Sequence, residues 1–471
     1  MVPSIKENFT SEKKDITDIL MRIKKRDFSG NTGLAIKNGL FQFSSQIVSK
    51  LGALVLTIIL ARMLTPDLFG LYNLALSVIL IFTTFAELGL GQTMIRFVSF
   101  HLGKKDEKTA RSFYVYFRKM KLFLVLFSIT ALIVSANFIS KVYFNKPILL
   151  ALLAGVVYII FFEIVSFVQS ALQSFNYFRG IFNNEVVFEI SRIVLVPLAT
   201  LLVLRYTQSN EIVLMFLFIA LSASYLVSSG FIYFSQLKRV NPLPLSGSKL
   251  GRNEIKDSNK FFLAASALSL SGVFFGYVDK IILGHFVSAE FIGYYSAAFN
   301  LVAALAAIIG FGTVLLPIFS RINPRQLERG IIKSLRSTLL IGLGFFAGTL
   351  IFSSVIILII YGSAYNPAAE MLRALSPLLI IAPLVGIYST YFMSKGKPSL
   401  LIILLLISTA VNITLSYTLV TYLLQFSESI ATYGVIIAVI VSNMVYLIGL
   451  IISRRFESKK IVSGTFADNN P

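Results

Sequence analysis

Lys50, Glu163, Arg192, Asp279 and Lys280 all fall inside long apolar stretches, where an ionisable group needs a partner or a purpose. At mid-bilayer such a group costs roughly 2.5–3.5 kcal/mol on insertion scales. An opposite charge one helical turn away removes much of that cost. Glu189 and Arg192 stand at i and i+3 and meet this condition, as do Glu370 and Arg373. Lys50 does not, because positions 46, 47, 53 and 54 are Gln, Ile, Ala and Leu. It belongs instead to a polar stripe of Gln42, Ser45, Gln46, Ser49, Lys50 and Thr57 on an otherwise apolar helix. One reading pairs Lys50 with Glu163 across two helices. The other, favoured by the stripe, places it in a water-filled cavity as an anion ligand, with Gln46 and Ser49 beside it.

Lys280 also lacks a local acid, since 276, 277, 283 and 284 are Gly, Tyr, Leu and Gly. Asp279 is adjacent in sequence but points about 100° away around a helix. Snorkelling to the membrane surface competes with a ligand role for Lys280. Two unpaired lysines, with Arg192 between them in sequence, form a constellation suited to a multiply charged anion such as a pyrophosphate. Glu163 and Asp279 are alternative proton or sodium sites, and simple helix–helix pairing competes for each.

The elements that position these groups are transmembrane helices. The chain is 56% hydrophobic and only 14% charged, with 42 Phe among its 471 residues and a mean hydropathy of +0.81. A soluble domain carries roughly 25% charged residues, so a water-facing surface is excluded. Apolar runs of about 20 residues, long enough to cross the hydrocarbon layer, occur near 39–61, 68–90, 122–140, 147–171, 184–204, 211–236, 261–284, 290–318, 337–359, 367–393, 399–423 and 430–453. The fold class expected is an all-α polytopic membrane protein of about 12 spans. Residues 1–37 are too charged for a cleavable signal peptide, so the first span is expected to act as a signal anchor.

Lys and Arg test this count. Thirty-four of the 42 fall in the N-terminus, the connections after even-numbered spans and the C-terminus. The alternate connections hold Arg62, Lys141, Lys146 and Arg205. That asymmetry predicts both termini in the cytoplasm of a cell-membrane protein. It also accounts for most of the +20 net charge as topology and lipid contact, and no nucleic-acid partner is expected.

Ile59, Leu60, Gly70, Tyr72 and Ala75 recur as Ile282, Leu283, Gly293, Tyr295 and Ala298 at one offset of 223 positions. The chain therefore reads as a tandem duplication. Six spans per half give a parallel repeat: an N-lobe at 38–236, a linker at 237–260, a C-lobe at 261–453 and a tail at 454–471. Ile16, Ile19, Leu20 and Ile23 within 1–37 predict an amphipathic helix on the cytoplasmic leaflet, and the basic segment 101–121 reads the same way. The paired Gly-x-Tyr corners read as tight packing rather than chemistry.

No Gly-x4-Gly-Lys-Ser/Thr loop occurs, which argues against direct use of ATP. There is no cysteine, and His101 and His285 are the only histidines, so neither a metal centre nor another cofactor is expected. The isolated acids Asp67, Glu211, Glu290 and Glu428 in short outer loops argue against an enzyme.

The block from Asn38 through Ile59-Leu-Ala-Arg-Met-Leu-Thr-Pro-Asp-Leu-Phe-Gly-Leu-Tyr72, with its partner from Val278-Asp-Lys-Ile-Ile-Leu-Gly284 through Ala298, resembles the polysaccharide-transporter branch of the multidrug/oligosaccharidyl-lipid/polysaccharide flippase superfamily. The resemblance spans about residues 30–455. It implies a two-lobed bundle that flips polyprenyl-pyrophosphate-linked oligosaccharides outward by alternating access, with Lys50 and Lys280 matching basic cavity residues that hold the pyrophosphate. Partners implied are that lipid-linked oligosaccharide, membrane lipids and polysaccharide synthesis machinery. The competing reading is a drug or organic-cation antiporter of the same superfamily, in which Glu163 or Asp279 would dominate.

Overall fold

The computed structural model describes residues 30–237, 250–310 and 324–467. The amphipathic N-terminal helix expected around Ile16–Ile23 lies outside the described residues, as does half of the expected linker, residues 238–249. Fourteen α-helices run through the described residues: α1 (Gly30–Met63), α2 (Pro66–Glu87), α3 (Leu90–Gly103), α4 (Glu107–Asn137), α5 (Leu149–Ser174), α6 (Phe178–Tyr206), α7 (Asn210–Phe231), α8 (Arg252–Phe286), α9 (Ala289–Ile309), α10 (Pro324–Ile360), α11 (Ala368–Leu375), α12 (Leu378–Ser394), α13 (Pro398–Leu423) and α14 (Glu428–Ala467).

Eleven of the described helical stretches are long and apolar enough to cross a membrane, and α11 with α12, bent by 42°, form a twelfth. The break falls at Ser376-Pro377, where proline removes a backbone donor. Helical hydroxyls meet the lack of water in hydrocarbon by donating back to the carbonyl four residues earlier, as Ser77 does to Asn73 and Thr200 to Val196 at 2.8 Å each. Elements start on local signals. Thr65 caps α2 with Pro66 at its first position, and Asp106 caps α4 by accepting the Thr109 N–H at 3.1 Å. Hydrogen bonding to Thr109 holds the Asp106 carboxyl below the usual range.

One sequence expectation changes here. The basic segment 101–121 is not a separate surface helix. Residues 90–103 form α3, and α4 starts at Glu107 and runs unbroken into the third span. Ala110, Phe113, Tyr114 and Phe117 are buried against Leu90, Met94 and Phe167, so packing holds the first turns of α4 upright.

The duplication is visible in neighbour relations. α1 packs on α6 as α8 packs on α13, α5 on α7 as α12 on α14, and α6 on α7 as α13 on α14. The two lobes meet chiefly through α2 with α9 and α2 with α8. The repeated glycines make the first of these contacts. A Cβ on Gly70 would overlap the carbonyl oxygen of Ala289, and one on Gly293 would overlap that of Pro66. The Gly-x-Tyr corners are thus a reciprocal backbone contact between lobes.

Other contacts close the same end of the bundle, opposite the basic connections. Arg62 donates from Nε to the Ile360 carbonyl at 2.8 Å and from its terminal nitrogen to Ile359. Lys146 Nζ donates to the Gly284 carbonyl at 2.7 Å. All three acceptors lie in the last turn of a helix, where carbonyls lack intrahelical partners and the dipole favours a cation. Halfway down, Asn300 Nδ2 reaches Asn73 Oδ1 at 3.3 Å. At the basic end α8 touches the first lobe again, with Ser266 Oγ donating to the Leu88 carbonyl at 2.8 Å and the Tyr116 hydroxyl to Asn259 Oδ1 at 2.9 Å.

Candidate functional site

α1 presents one broad exposed arc. Ile47, Leu51 and Val55, spaced by four, form its apolar side, suited to lipid. Lys50 and Ala53 are exposed at its polar edge, with Gln46, Ser49 and Thr57 half-buried along the same polar stripe. The buried side of α1 meets α6, where a Cβ on Gly52 would overlap the Glu189 carboxylate. Lys50 forms no ion pair among the described residues, and its ammonium therefore stands available on a polar, exposed helix face midway through a membrane-crossing element.

Behind α1, Arg192 holds Glu189 through one terminal nitrogen, at 2.7 and 2.5 Å to the two carboxylate oxygens. This is the i, i+3 pair expected from sequence. The Arg192 guanidinium also lies 5.0 Å from the Phe188 ring centroid. Phe188 stacks on Tyr225 at 4.1 Å, and Tyr158 and Phe162 meet the same ring edge-on at 5.3 Å each. The result is an aromatic wall with one partly neutralised guanidinium, whose Nε is buried and unpaired among the described residues. The Glu370–Arg373 pair does not form. Arg373 donates to Ser354 Oγ at 3.0 Å, and Glu370 accepts from the Tyr433 hydroxyl at 3.3 Å. Each side chain instead meets a different neighbouring helix, Arg373 on α10 and Glu370 on α14.

In the second lobe Lys280 is buried, at 4% exposure, so it neither snorkels nor faces open water. Its ammonium sits 5.4 Å from the Tyr277 ring and 5.0 Å from the Phe299 ring. Asp279 is likewise buried, accepting the Lys280 backbone N–H at 2.8 Å and the Tyr295 hydroxyl. A cavity of about 130 Å³ opens beside it, lined by Phe275, Asp279, Phe299, Leu378 and Asn443 among others. No group of three or more His, Asp or Glu suited to a metal ion occurs among the described residues.

Glu163 is where the structure departs most from expectation. It pairs with Lys121, not Lys50, and Lys121 at the same time pairs with Glu87. This three-helix cluster is buried inside the first lobe. The span count places Lys121 in a surface connection, because hydropathy alone rises only after it. Glu87 and Lys121 do sit at matching depths, each near the basic end of its span, and that match was the available signal. A second unforeseen network ties the basic ends of α10, α12 and α14: Glu328 accepts from Arg454 at 2.8 Å and from the Tyr391 hydroxyl, and Lys395 bridges Glu328 and Glu457 at 3.7 and 3.4 Å.

No curated protein matches the sequence. Among solved structures, the chain is similar to the lipid II flippase MurJ in an inward closed conformation, with a TM-score of 0.68, 16% identity, and 88% of this chain and 87% of that one covered. A multidrug resistance MATE transporter of the MOP superfamily, inward-facing, gives a TM-score of 0.67 at 17% identity over 87% of this chain and 95% of that one. A MOP superfamily transporter from Pyrococcus furiosus, described by a binding pocket of reversed polarity, gives 0.55 at 16% identity over 90% and 96%. These likenesses establish the fold. Residues 35–323 match the family described as "Polysaccharide biosynthesis protein", more than half of the sequence, and this multi-pass membrane chain belongs to that family.

Proposed function

We propose that this protein flips a polyprenyl-pyrophosphate-linked oligosaccharide across the cell membrane by alternating access of its lobes, with the basic side and both termini cytoplasmic. The observation that carries the reading is Lys50: an exposed ammonium, midway along a membrane-crossing helix, on a polar face, with no carboxylate partner among the described residues. Hydrocarbon would not tolerate that group, whereas a water-filled cleft receiving an anion would use it. The family match and the likeness to MurJ, itself a lipid II flippase, support the same direction.

On this reading the pyrophosphate enters from the cytoplasmic side and meets Lys50, with Gln46 and Ser49 as hydrogen-bonding neighbours. Arg192 lies behind the aromatic wall, and Lys280 becomes a ligand only when its aromatic clasp opens. The contacts at Gly70, Gly293, Arg62 and Lys146 keep the opposite side shut. Each charge crossing the membrane is worth roughly 2.3 kcal/mol per 100 mV, so an inside-negative potential favours outward movement of the anion and inward return of the empty cationic site. The antiporter reading needs an acid to dominate the cleft. Glu163 is held by Lys121 inside a lobe and Asp279 by Tyr295, which weighs against it.

The test is flipping of a polyprenyl-linked oligosaccharide in proteoliposomes clamped at several potentials. Wild-type flipping should accelerate with an inside-negative potential, and Lys50→Ala should slow it tenfold or more. Equal rates at all potentials, with full activity in Lys50→Ala, would sink the proposal.

A further inference from the structure

The Glu87–Lys121–Glu163 cluster has one more carboxylate than it has cations. Lys121 Nζ contacts an oxygen of each acid, and the Lys121 and Glu163 side chains are 7% and 1% exposed. Glu87 Oε1 accepts the Gly91 N–H at 2.8 Å, but Glu163 Oε1 is buried without any partner among the described residues. Two ionised carboxylates around one ammonium would leave a net negative charge in a dry interior, with one oxygen unsolvated. A single bound proton removes the excess charge and leaves Glu163 Oε1 facing a neutral rather than a doubly anionic site.

Lys121 comes from α4 and Glu87 from α2, while α3 contributes the Gly91 N–H. Tyr158 lies on the same helix as Glu163, and beyond it stand Tyr225 of α7 and Arg192 of α6. Among the three cluster members Glu87 is the exposed one, at 25% of its side chain. It lies at the basic end of α2, so water reaches the cluster from that side.

Glu87 is also the last residue before an abrupt corner. Leu88 and Gly89 both take left-handed conformations, at φ 43° and 72°. Leucine rarely adopts that region, so surrounding contacts must hold it there. Two of those contacts come from the cluster and from the second lobe: the Glu87 carboxylate fixes the first turn of α3, and Ser266 of α8 donates to the Leu88 carbonyl. Ala265 of α8 fills the space that a side chain on residue 89 would need.

We propose that Glu87 and Glu163 share one exchangeable proton across Lys121, and that its presence or loss changes how the α2–α3 corner seats against α8. Proton binding turns one carboxylate into a carboxylic acid, the proton being taken from water through Glu87. Its loss strengthens the pull of Lys121 on both acids and reseats Glu87, altering the inter-lobe contact at the basic end. Proton occupancy is thereby linked to opening of the lobes, at a site separate from the headgroup contacts.

The experiment uses the full chain in lipid nanodiscs without any substrate, so its failure leaves the flipping reading untouched. Spin labels on Lys108→Cys and Ser399→Cys, in a protein with no cysteine of its own, report lobe separation at the basic end. In the wild type the ratio of near to far populations should change by up to tenfold per pH unit across one titration. Glu163→Gln and Glu87→Gln should each give a pH-independent ratio resembling the protonated wild type. Infrared difference spectra between high and low pH should show one glutamic-acid carbonyl band, absent from Glu163→Gln. A pH-independent wild type, no carboxyl band, or variants that keep the wild-type pH response would each overturn the proposal. The infrared measurement on wild type stands even where a variant fails to fold.

Discussion

Replacing Gly70 by Ala tests whether the repeated corner is the hinge of the closed side. The added Cβ would overlap the Ala289 carbonyl oxygen, a backbone atom on the facing helix that cannot rotate away. The lobes must separate locally or the helices must shift. Overpacking of this kind costs typically 1–3 kcal/mol. Alanine also gains about 1 kcal/mol over glycine in helix propensity, but α2 is helical whether the lobes touch or part, so that gain cancels. The closed-to-open ratio should fall about 5- to 150-fold. Gly293→Ala should act likewise through Pro66, because the contact is reciprocal. Labels on Gln208→Cys and Gln425→Cys, in the α6–α7 and α13–α14 turns at that end, report the change as a shift to longer distances in pulsed electron spin resonance. Gly272→Ala is the control, since a Cβ there meets nothing within 4 Å. Unchanged distances in both corner variants, or an equal shift in the control, would refute the reasoning.

Arg62→Gln and Lys146→Ala each remove a cation from a helix C-terminus across the lobe contact, and each should open the same end more weakly, about 0.5–1.5 kcal/mol per hydrogen bond lost; the same label pair measures it. Glu328 is held below the usual glutamate range by hydrogen bonds from Tyr391 and Arg454, which outweigh its burial. A depressed carboxyl stabilises the fold above its unfolded value of 4.5 and loses that contribution as pH falls through the lower folded value. Melting in detergent should therefore drop at acid pH in the wild type and show a smaller acid dependence in Glu328→Gln. Lys280→Met replaces a buried ammonium by a group of similar length, so thermal stability should hold or rise while flipping falls if Lys280 contacts the headgroup. A lower melting temperature with full flipping would assign Lys280 to packing alone.

The span count, the duplication and the Glu189–Arg192 pair were legible because each rests on short-range pattern: hydropathy over about 20 residues, one constant offset, one helical turn. Lys121 with Glu87 and Glu163 was not, because the three residues come from different helices and share only a depth. The burial of Lys280 was illegible for a related reason. Its clasp needs Phe299 from the next helix, and nothing in the spacing of 280 and 299 announces a contact across the α8–α9 turn. The polar stripe around Lys50 could be read because exposure on one helix follows from its own periodicity.

The placement of charge explains how such lobes can move. Lys121 with its two acids, Arg192 with Glu189, and Glu328 with Arg454 each lie inside one lobe. Losing one partner of a buried pair costs about 3–5 kcal/mol, so motion that tore these apart would be slow and destabilising. Between lobes the structure instead uses carbonyl acceptors, the Asn73–Asn300 amide pair and glycine-to-backbone packing. Each such contact is worth about 1 kcal/mol and can exchange for water when the lobes part. Under the proposed alternating access the ion pairs travel with their lobe, while the interface is assembled from contacts weak enough to break when the lobes part. Duplication supplied that symmetric interface. Lys50 aligns with Val273 and Lys280 with Thr57, so the charges do not follow the repeat and differ between the halves.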